Sequence, residues 1–252
     1  MIDARRIEEA GLNALQTQRQ LFYDGWLLRL SAGKAKRGRS VNAHFGSTLP
    51  VGGKIEHCER VYAQHGLAPL FRMTPFDRPA DLEAALDARG YVAFEPTLVQ
   101  SARLERAPEL PPSGDDVAIE MLAVDAFVDA VSALRASPPT QREAHRERLL
   151  NSPLEKRLIA VRAGDGVVCT AQAVIEGDLA GLYDVVTAEG ARGRGYATLA
   201  CTSLLSWAWQ HGAHAAYLQV SADNAPALAI YRKLGFATVY SYHYRGLPGQ
   251  CE

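Results

Sequence analysis

The chain has 252 residues, 48% of them hydrophobic and 22% charged, enough apolar material for one large domain or two small cores. Its 27 Lys and Arg against 28 Asp and Glu leave a formal net charge of -1, which excludes a polyanionic partner held by bulk attraction, so nucleic acid is not expected. Cys58, Cys169, Cys201 and Cys251 stand far apart without a CxxC pair; neither a metal site nor a disulfide scaffold is expected, and the thiols fit a reducing cytoplasm.

Residues 1–19 carry Asp3, Arg5, Arg6, Glu8 and Glu9 where an export signal would need an apolar run. The basic run Lys34, Lys36, Arg37 and Arg39 reads as a solvated hairpin tip, and Trp26, Phe71, Tyr91 and Phe94 read as core. Gln64-His65-Gly66 leads into a strand over 70–73, and a helix over 82–91 ends at Arg89-Gly90-Tyr91. Residues 107–116, APELPPSGDD, hold three prolines and a glycine and cannot continue a helix or a central strand. The expected division is therefore a first unit at 1–106, a linker at 107–116 and a second unit at 117–252.

In the second unit, helices are predicted over 123–136 and 140–150, the latter dense in charge and so placed on the surface. Short apolar runs at 158–162, 167–175 and 179–186, separated by glycine turns, predict an antiparallel meander. A helix over 196–211, broken at Gly212, precedes a strand over 215–220, a helix over 225–234 closed by Gly235, and a last strand over 238–244. Residues 195–222 lack Asp, Glu, Lys and Arg, but Thr198, Thr202, Ser203, Gln210 and His211 interrupt the run, so no membrane span is expected. The order reads as an α+β mixed sheet flanked by helices. Helix, Gly, strand, helix, Gly and aromatic recur in the first unit at an offset near 146 residues, which predicts two related units.

The stretch 185–198, VVTAEGARGRGYAT, runs a strand into a glycine-rich turn that opens a helix. Main-chain N–H groups of such a turn, with the free donors of the helix start, suit a phosphate or pyrophosphate. A dinucleotide fingerprint is disfavoured because Gly193-Arg194-Gly195-Tyr196-Ala197-Thr198 ends in Thr and no acid occurs over 195–222 to hold a ribose; the P-loop pattern is absent.

Arg192, Gly195 and Ala197 match the [QR]xxGx[GA] loop, and Asn224, Ala227, Tyr231, Gly235 and Phe236 the downstream NxxAxxLYxxxGF pattern, of the Gcn5-related N-acetyltransferase (GNAT) family, which 117–245 closely resembles. The resemblance implies a GNAT-like, acyl-CoA N-acyltransferase fold and acetyl-CoA as acyl donor. It implies that Val185, Val186 and Thr187 bind the pantetheine amides through main-chain groups and that Arg192, Gly193, Arg194, Gly195, Tyr196, Ala197 and Thr198 hold the pyrophosphate. Asn224 would contact the pantetheine arm, and Tyr231 would give a proton to the departing thiolate. Each also has a plainer reading: Asn224 before Ala225-Pro226 is a good N-cap, and Tyr231 shares a helical face with Ala227, Leu228 and Leu234.

Two departures stand out. Glu189-Gly190 replaces a proline common after the loop-entry strand, and Gln219 stands where relatives acting on protein N-termini carry a Glu, so the general base is open among Asp184, Glu176, His243 and water. The first unit has no such loop, and Leu86 lies at the counterpart of Tyr231; it is expected to complete the sheet or wall the acceptor pocket. The expected activity is N-acetyl transfer to a primary amine of a small molecule or protein by direct attack in a ternary complex, without a metal. A non-catalytic acyl-CoA-binding or sensor module is the alternative. A homodimer is allowed, and a membrane partner is not expected.

Overall fold

Asp3 starts the first helix by accepting the Arg5 N–H on its side chain, in a computed structural model that describes residues 2–251. The first half runs α1 (Ala4–Asn13), β1 (Gln20–Tyr23), β2 (Trp26–Arg29), β3 (Val41–Asn42), α2 (Val51–Gln64), β4 (Phe71–Met73), α3 (Leu82–Asp87) and β5 (Val92–Arg103). The second runs β6 (Val117–Met121), α4 (Val124–Arg135), α5 (Pro139–Asn151), β7 (Glu155–Ala163), β8 (Gly166–Glu176), β9 (Leu179–Thr187), α6 (Tyr196–Gln210), β10 (Ala215–Ser221), α7 (Ala225–Lys233) and β11 (Ala237–Gly246). The elements expected from sequence over 123–244 all form, with β6 added before them. In the first half the sequence signals β4, α3 and a helix closed by Gly66, which is α2, and the structure adds α1, β1 to β3 and β5.

All eleven strands make one sheet in the order β1-β2-β3-β4-β11-β5-β10-β9-β8-β7-β6. Among the described residues only β3/β4 and β9/β10 are parallel, so the sheet is mixed. The order is close to palindromic about its centre. In each half a meander leads into a parallel pair, and each half's last strand crosses to the other side: β11 pairs with β4, β5 with β10, and the two exchanged strands pair antiparallel. The segment 107–116 holds no helix or strand, yet the sheet does not part there, because β5 lies between β10 and β11.

Alternation along the strands sorts the helices onto two faces. Ile159 and Val161 face α6, whereas Leu158 beside them packs under α4 and α5. Leu218 and Val220 face α6 and α7, while Tyr217 packs with Ile7 and Ala10 of α1. Phe71 and Met73 lie beneath α2 and α3, and Arg72 turns to the α1 face, where Glu8 binds it. One face therefore carries α2, α3, α6 and α7, the other α1, α4 and α5. Trp26, Phe71 and Tyr91 are fully enclosed and Phe94 is partly so, as expected of core positions.

The basic run departs from expectation. Lys36–Arg39 forms a short 3-10 turn folded onto the protein rather than a solvated tip. Lys36 pairs with Glu95 at 2.8 Å, and the Arg37 guanidinium lies 5.8 Å from the centre of the Tyr183 ring. Cation–π and charge contacts make a folded position better than a solvated one here. No helix among the described residues is long and apolar enough to cross a membrane.

Candidate active site

The site is built where β9 and β10 separate. Their parallel register runs from Leu179 opposite Ala215 to Leu182 opposite Leu218 and then stops, although β9 continues to Thr187 and β10 to Ser221. Val185, Val186 and Thr187 thus lie beside β8 and present an unpaired main-chain edge toward β10. An extended ligand chain with amide groups could add itself to such an edge.

The turn after β9 continues the same surface. Glu189–Ala191 makes one 3-10 turn, and Gly193 and Gly195 adopt φ of 78° and 85°, a region that favours glycine. Nothing lies within 4 Å of where a side chain would start on either, so the space beside them is open. Gly195 is the N-cap of α6 and no side chain caps this 15-residue helix, leaving the first-turn N–H groups of Tyr196, Ala197 and Thr198 directed at that space. Arg192 and Arg194 are exposed beside it. The residues present fit a pyrophosphate.

The corresponding turn of the first half, between β3 and α2, is filled. Asp24, at the tip of the β1–β2 hairpin, accepts from the Thr48 and Leu49 N–H groups at 3.0 and 2.9 Å, and from the Ser47 and Thr48 hydroxyls at 2.8 and 2.7 Å. The enclosed Lys54 ammonium adds an ion pair at 3.0 Å. These bonds, led by the Leu49 N–H, hold the Asp24 carboxyl far below the usual carboxylate range.

Asn224 caps α7, its Oδ1 accepting the Ala227 N–H at 3.2 Å, so its capping role is met. Tyr231, two turns on, is 8% exposed and its hydroxyl has no hydrogen-bond partner among the described residues. Burial, with the nearby Cys201 and Cys169 thiols, pushes the phenol above its ordinary pKa, so it stays protonated at neutral pH. Thr187 Oγ1 donates to Cys169 Sγ at 3.4 Å, which places the end of β9 beside the same thiols. Burial raises Cys169 to about 11 and Cys201 further, so neither is a ready thiolate.

Of the carboxylates named as base candidates, none stands free at this point. Glu176 opposes Leu179 at the other end of β9, roughly 26 Å from Thr187 at about 3.3 Å per residue, and binds Arg6 and Asn13. His243 faces α3 and binds Glu83 at 3.0 Å, beside a cavity of about 380 Å³ in the first half. Asp184 does adjoin Val185, but it is committed. Its carboxylate binds Arg135 at 2.8 Å, Arg148 at 3.1 Å and His145 at 3.2 Å. Burial alone would raise its pKa; those three partners reverse this and hold it well below the ordinary value. Gln219 accepts from the Tyr242 hydroxyl at 2.9 Å.

On the α1 face a cavity of about 680 Å³ opens over Asp184. Its walls are α4 and α5 of the second half and the segments 15–19 and 30–35 of the first. Arg135, His145 and Arg148 all line it, and no sequence motif marks any of them. His145 and Arg148 are three apart on one helical face, but a charged helix looks the same whether that face meets solvent or a buried carboxylate.

Residues 2–245 match the family described as "Probable histone acetyltransferase Rv0428c C-terminal". A relative from Bacillus subtilis (strain 168), described as the uncharacterized N-acetyltransferase YobR, is 25% identical over 249 residues, covering 97% of this chain and 99% of its own. Among solved structures, a GCN5-related N-acetyltransferase from Kribbella flavida superposes with a TM-score of 0.74 at 18% identity, over 98% of this chain and 96% of the other. A tandem GNAT protein from the clavulanic acid biosynthesis pathway gives a TM-score of 0.60 at 13% identity, over 77% and 68%.

Proposed function

The chain belongs to the Rv0428c C-terminal acetyltransferase family, with the GNAT fold and a GNAT kind of acetyl transfer, and from that premise we propose that its donor is acetyl-CoA and its acceptor a primary amine. The observation that carries the reading is the open edge of Val185–Thr187 continuing into the uncapped turn Gly193–Thr198, two surfaces matched to pantetheine amides and a pyrophosphate.

In this reading Val185, Val186 and Thr187 hold the pantetheine arm, and Arg192 to Thr198 hold the pyrophosphate through main-chain N–H groups. Asn224, besides capping α7, borders the arm. An amine in the 680 Å³ cavity attacks the thioester carbonyl directly, a new C–N bond replaces the C–S bond, and Tyr231 protonates the departing sulfur. A main-chain N–H near Val185 stabilises the oxyanion. Asp184 and Glu176 are committed to cations and His243 to Glu83, which favours water as the path for the amine proton.

Two related units, 1–106 and 117–252 joined by 107–116, are part of the same proposal, supported by the palindromic strand order and by the offset near 146 residues. The first unit walls the acceptor cavity and binds no donor, because Asp24 already occupies the equivalent turn. One donor per chain is expected.

Calorimetric titration with acetyl-CoA, with NAD and ATP as controls, tests the donor. One site per chain, lost in Gly195→Trp, is the expected result, since a large side chain at φ 85° would both strain the turn and fill it. A folded wild-type protein that fails to bind acetyl-CoA would reduce the turn to a structural feature. A screen of primary amines, read by release of the CoA thiol, then finds the acceptor.

A further inference from the structure

We propose that Asp184 is a positioning residue: clamped by Arg135, His145 and Arg148, it fixes the bend of β9 that aims the main chain after it at the thioester carbonyl. The proposal rests on the donor reading above.

Between Thr170 opposite Val186 and Gln172 opposite Tyr183, β8 contributes one residue and β9 contributes two, Asp184 and Val185. This is a bulge, a device that re-aims a strand. Asp184 takes φ of 50° there, a conformation a non-glycine residue adopts in mid-strand only when its surroundings compel it. The surroundings are explicit. Arg135 Nη1 donates to Oδ1 and Arg148 Nη2 to Oδ2, while His145 Nε2 stands 3.2 Å from Oδ2. Thr170 Oγ1 donates to the Asp184 carbonyl at 3.2 Å, holding the main chain as well.

The clamp controls the site because the donor edge begins at the very next residue. Val185 to Thr187 have no partner on the β10 side, so the direction of their N–H groups is set by the bulge and by β8 alone. A carboxylate held by two guanidiniums cannot readily take a proton, which separates this role from that of a base. The same three partners line the acceptor cavity, so a molecule lying there rests against the clamp.

Acetyl-CoA labelled with carbon-13 at the thioester carbonyl, observed by difference infrared spectroscopy, reads the aim of that N–H directly. The carbonyl band is expected to move to lower frequency on binding to the wild type. In Asp184→Asn it should return to its position in solution, in samples that calorimetry shows to bind acetyl-CoA. A variant that binds and keeps the full band shift overturns the proposal. So does a wild type that binds without any shift, an outcome that leaves the donor reading standing; a wild type that does not bind fells both. If Asp184→Asn does not fold, Arg135→Gln and Arg148→Gln replace it: partial loss of the shift supports the clamp, and an unchanged band in both overturns it.

Discussion

Tyr231 and Asp24 show what single side chains decide. Tyr231 makes no hydrogen bond that its hydroxyl would lose, so Tyr231→Phe should leave thermal stability and acetyl-CoA affinity nearly unchanged. If the phenol protonates the leaving sulfur, kcat falls by about 10²-fold or more, the usual weight of a general acid, in a steady-state assay with the identified amine. An unchanged kcat would return Tyr231 to its packing role against Phe236. Asp24 is a fixed anion at a turn whose counterpart is open. Asp24→Ala should lower Tm, and inorganic pyrophosphate should restore part of it in the variant while leaving the wild type unmoved. A variant indifferent to the anion would mean that the turn needs Asp24 for its shape alone. Tyr231 was legible in the sequence because its motif spans a few helical turns. Asp24 was not, because its partners stand 23 to 30 residues away along the chain.

Elements were legible where one short window carries the pattern. The meander β7 to β9 and the helices α6 and α7 arise from apolar spacing and glycine turns, and they form close to their predicted bounds. β1 and β2 have four residues each and β3 has two, too few for an alternation to show. β5 is long, but it exposes both ends and bends through Glu95 at φ 52°, so its pattern is broken. The bulge in β9 is likewise invisible from sequence, being a register between strands. Its neighbourhood is tightly packed: a side chain starting at Gly181 would lie 2.6 Å from the Tyr183 ring and 2.7 Å from the Tyr217 hydroxyl. Those two phenols are themselves hydrogen-bonded at 2.7 Å, so neither can retreat without breaking that bond. Gly181→Ala should therefore cost about 1–3 kcal/mol by overpacking, read as a lower urea midpoint with an unchanged slope. A midpoint equal to wild type would show that the rings move aside freely.

At the scale of the molecule, the near-constant offset suggests two related units, but it does not foretell the exchange of β5 and β11, since a repeat looks identical whether its last strand stays or crosses. The exchange makes the halves interdependent. Residues 117–252 alone would leave β10 and β11 without β5 between them, and should not fold unless 1–106 is supplied in trans, as checked by circular dichroism of each piece and of their mixture. Glu8 adds a second tie. From α1 it binds Arg72 of β4, accepts the Tyr240 hydroxyl of β11 at 2.5 Å and lies 3.2 Å from His44, so one enclosed carboxylate joins both halves. Burial opposes its charge, but Arg72 and His44 outweigh burial and bring the carboxyl far below its ordinary 4.5. Glu8→Gln would leave the Arg72 guanidinium enclosed without its counter-charge, a loss of about 3–5 kcal/mol at pH 7. Because the folded pKa is depressed, Glu8's contribution is complete above pH 4.5 and is lost as acid protonates the unfolded chain first. The gap between wild type and Glu8→Gln should therefore narrow below pH 4.5, by at most about 1.4 kcal/mol per pH unit, in urea titrations at a series of pH values. A gap that stays constant through that range would mean that Glu8 acts by shape and hydrogen bonding, with its charge contributing nothing to the union of the two halves.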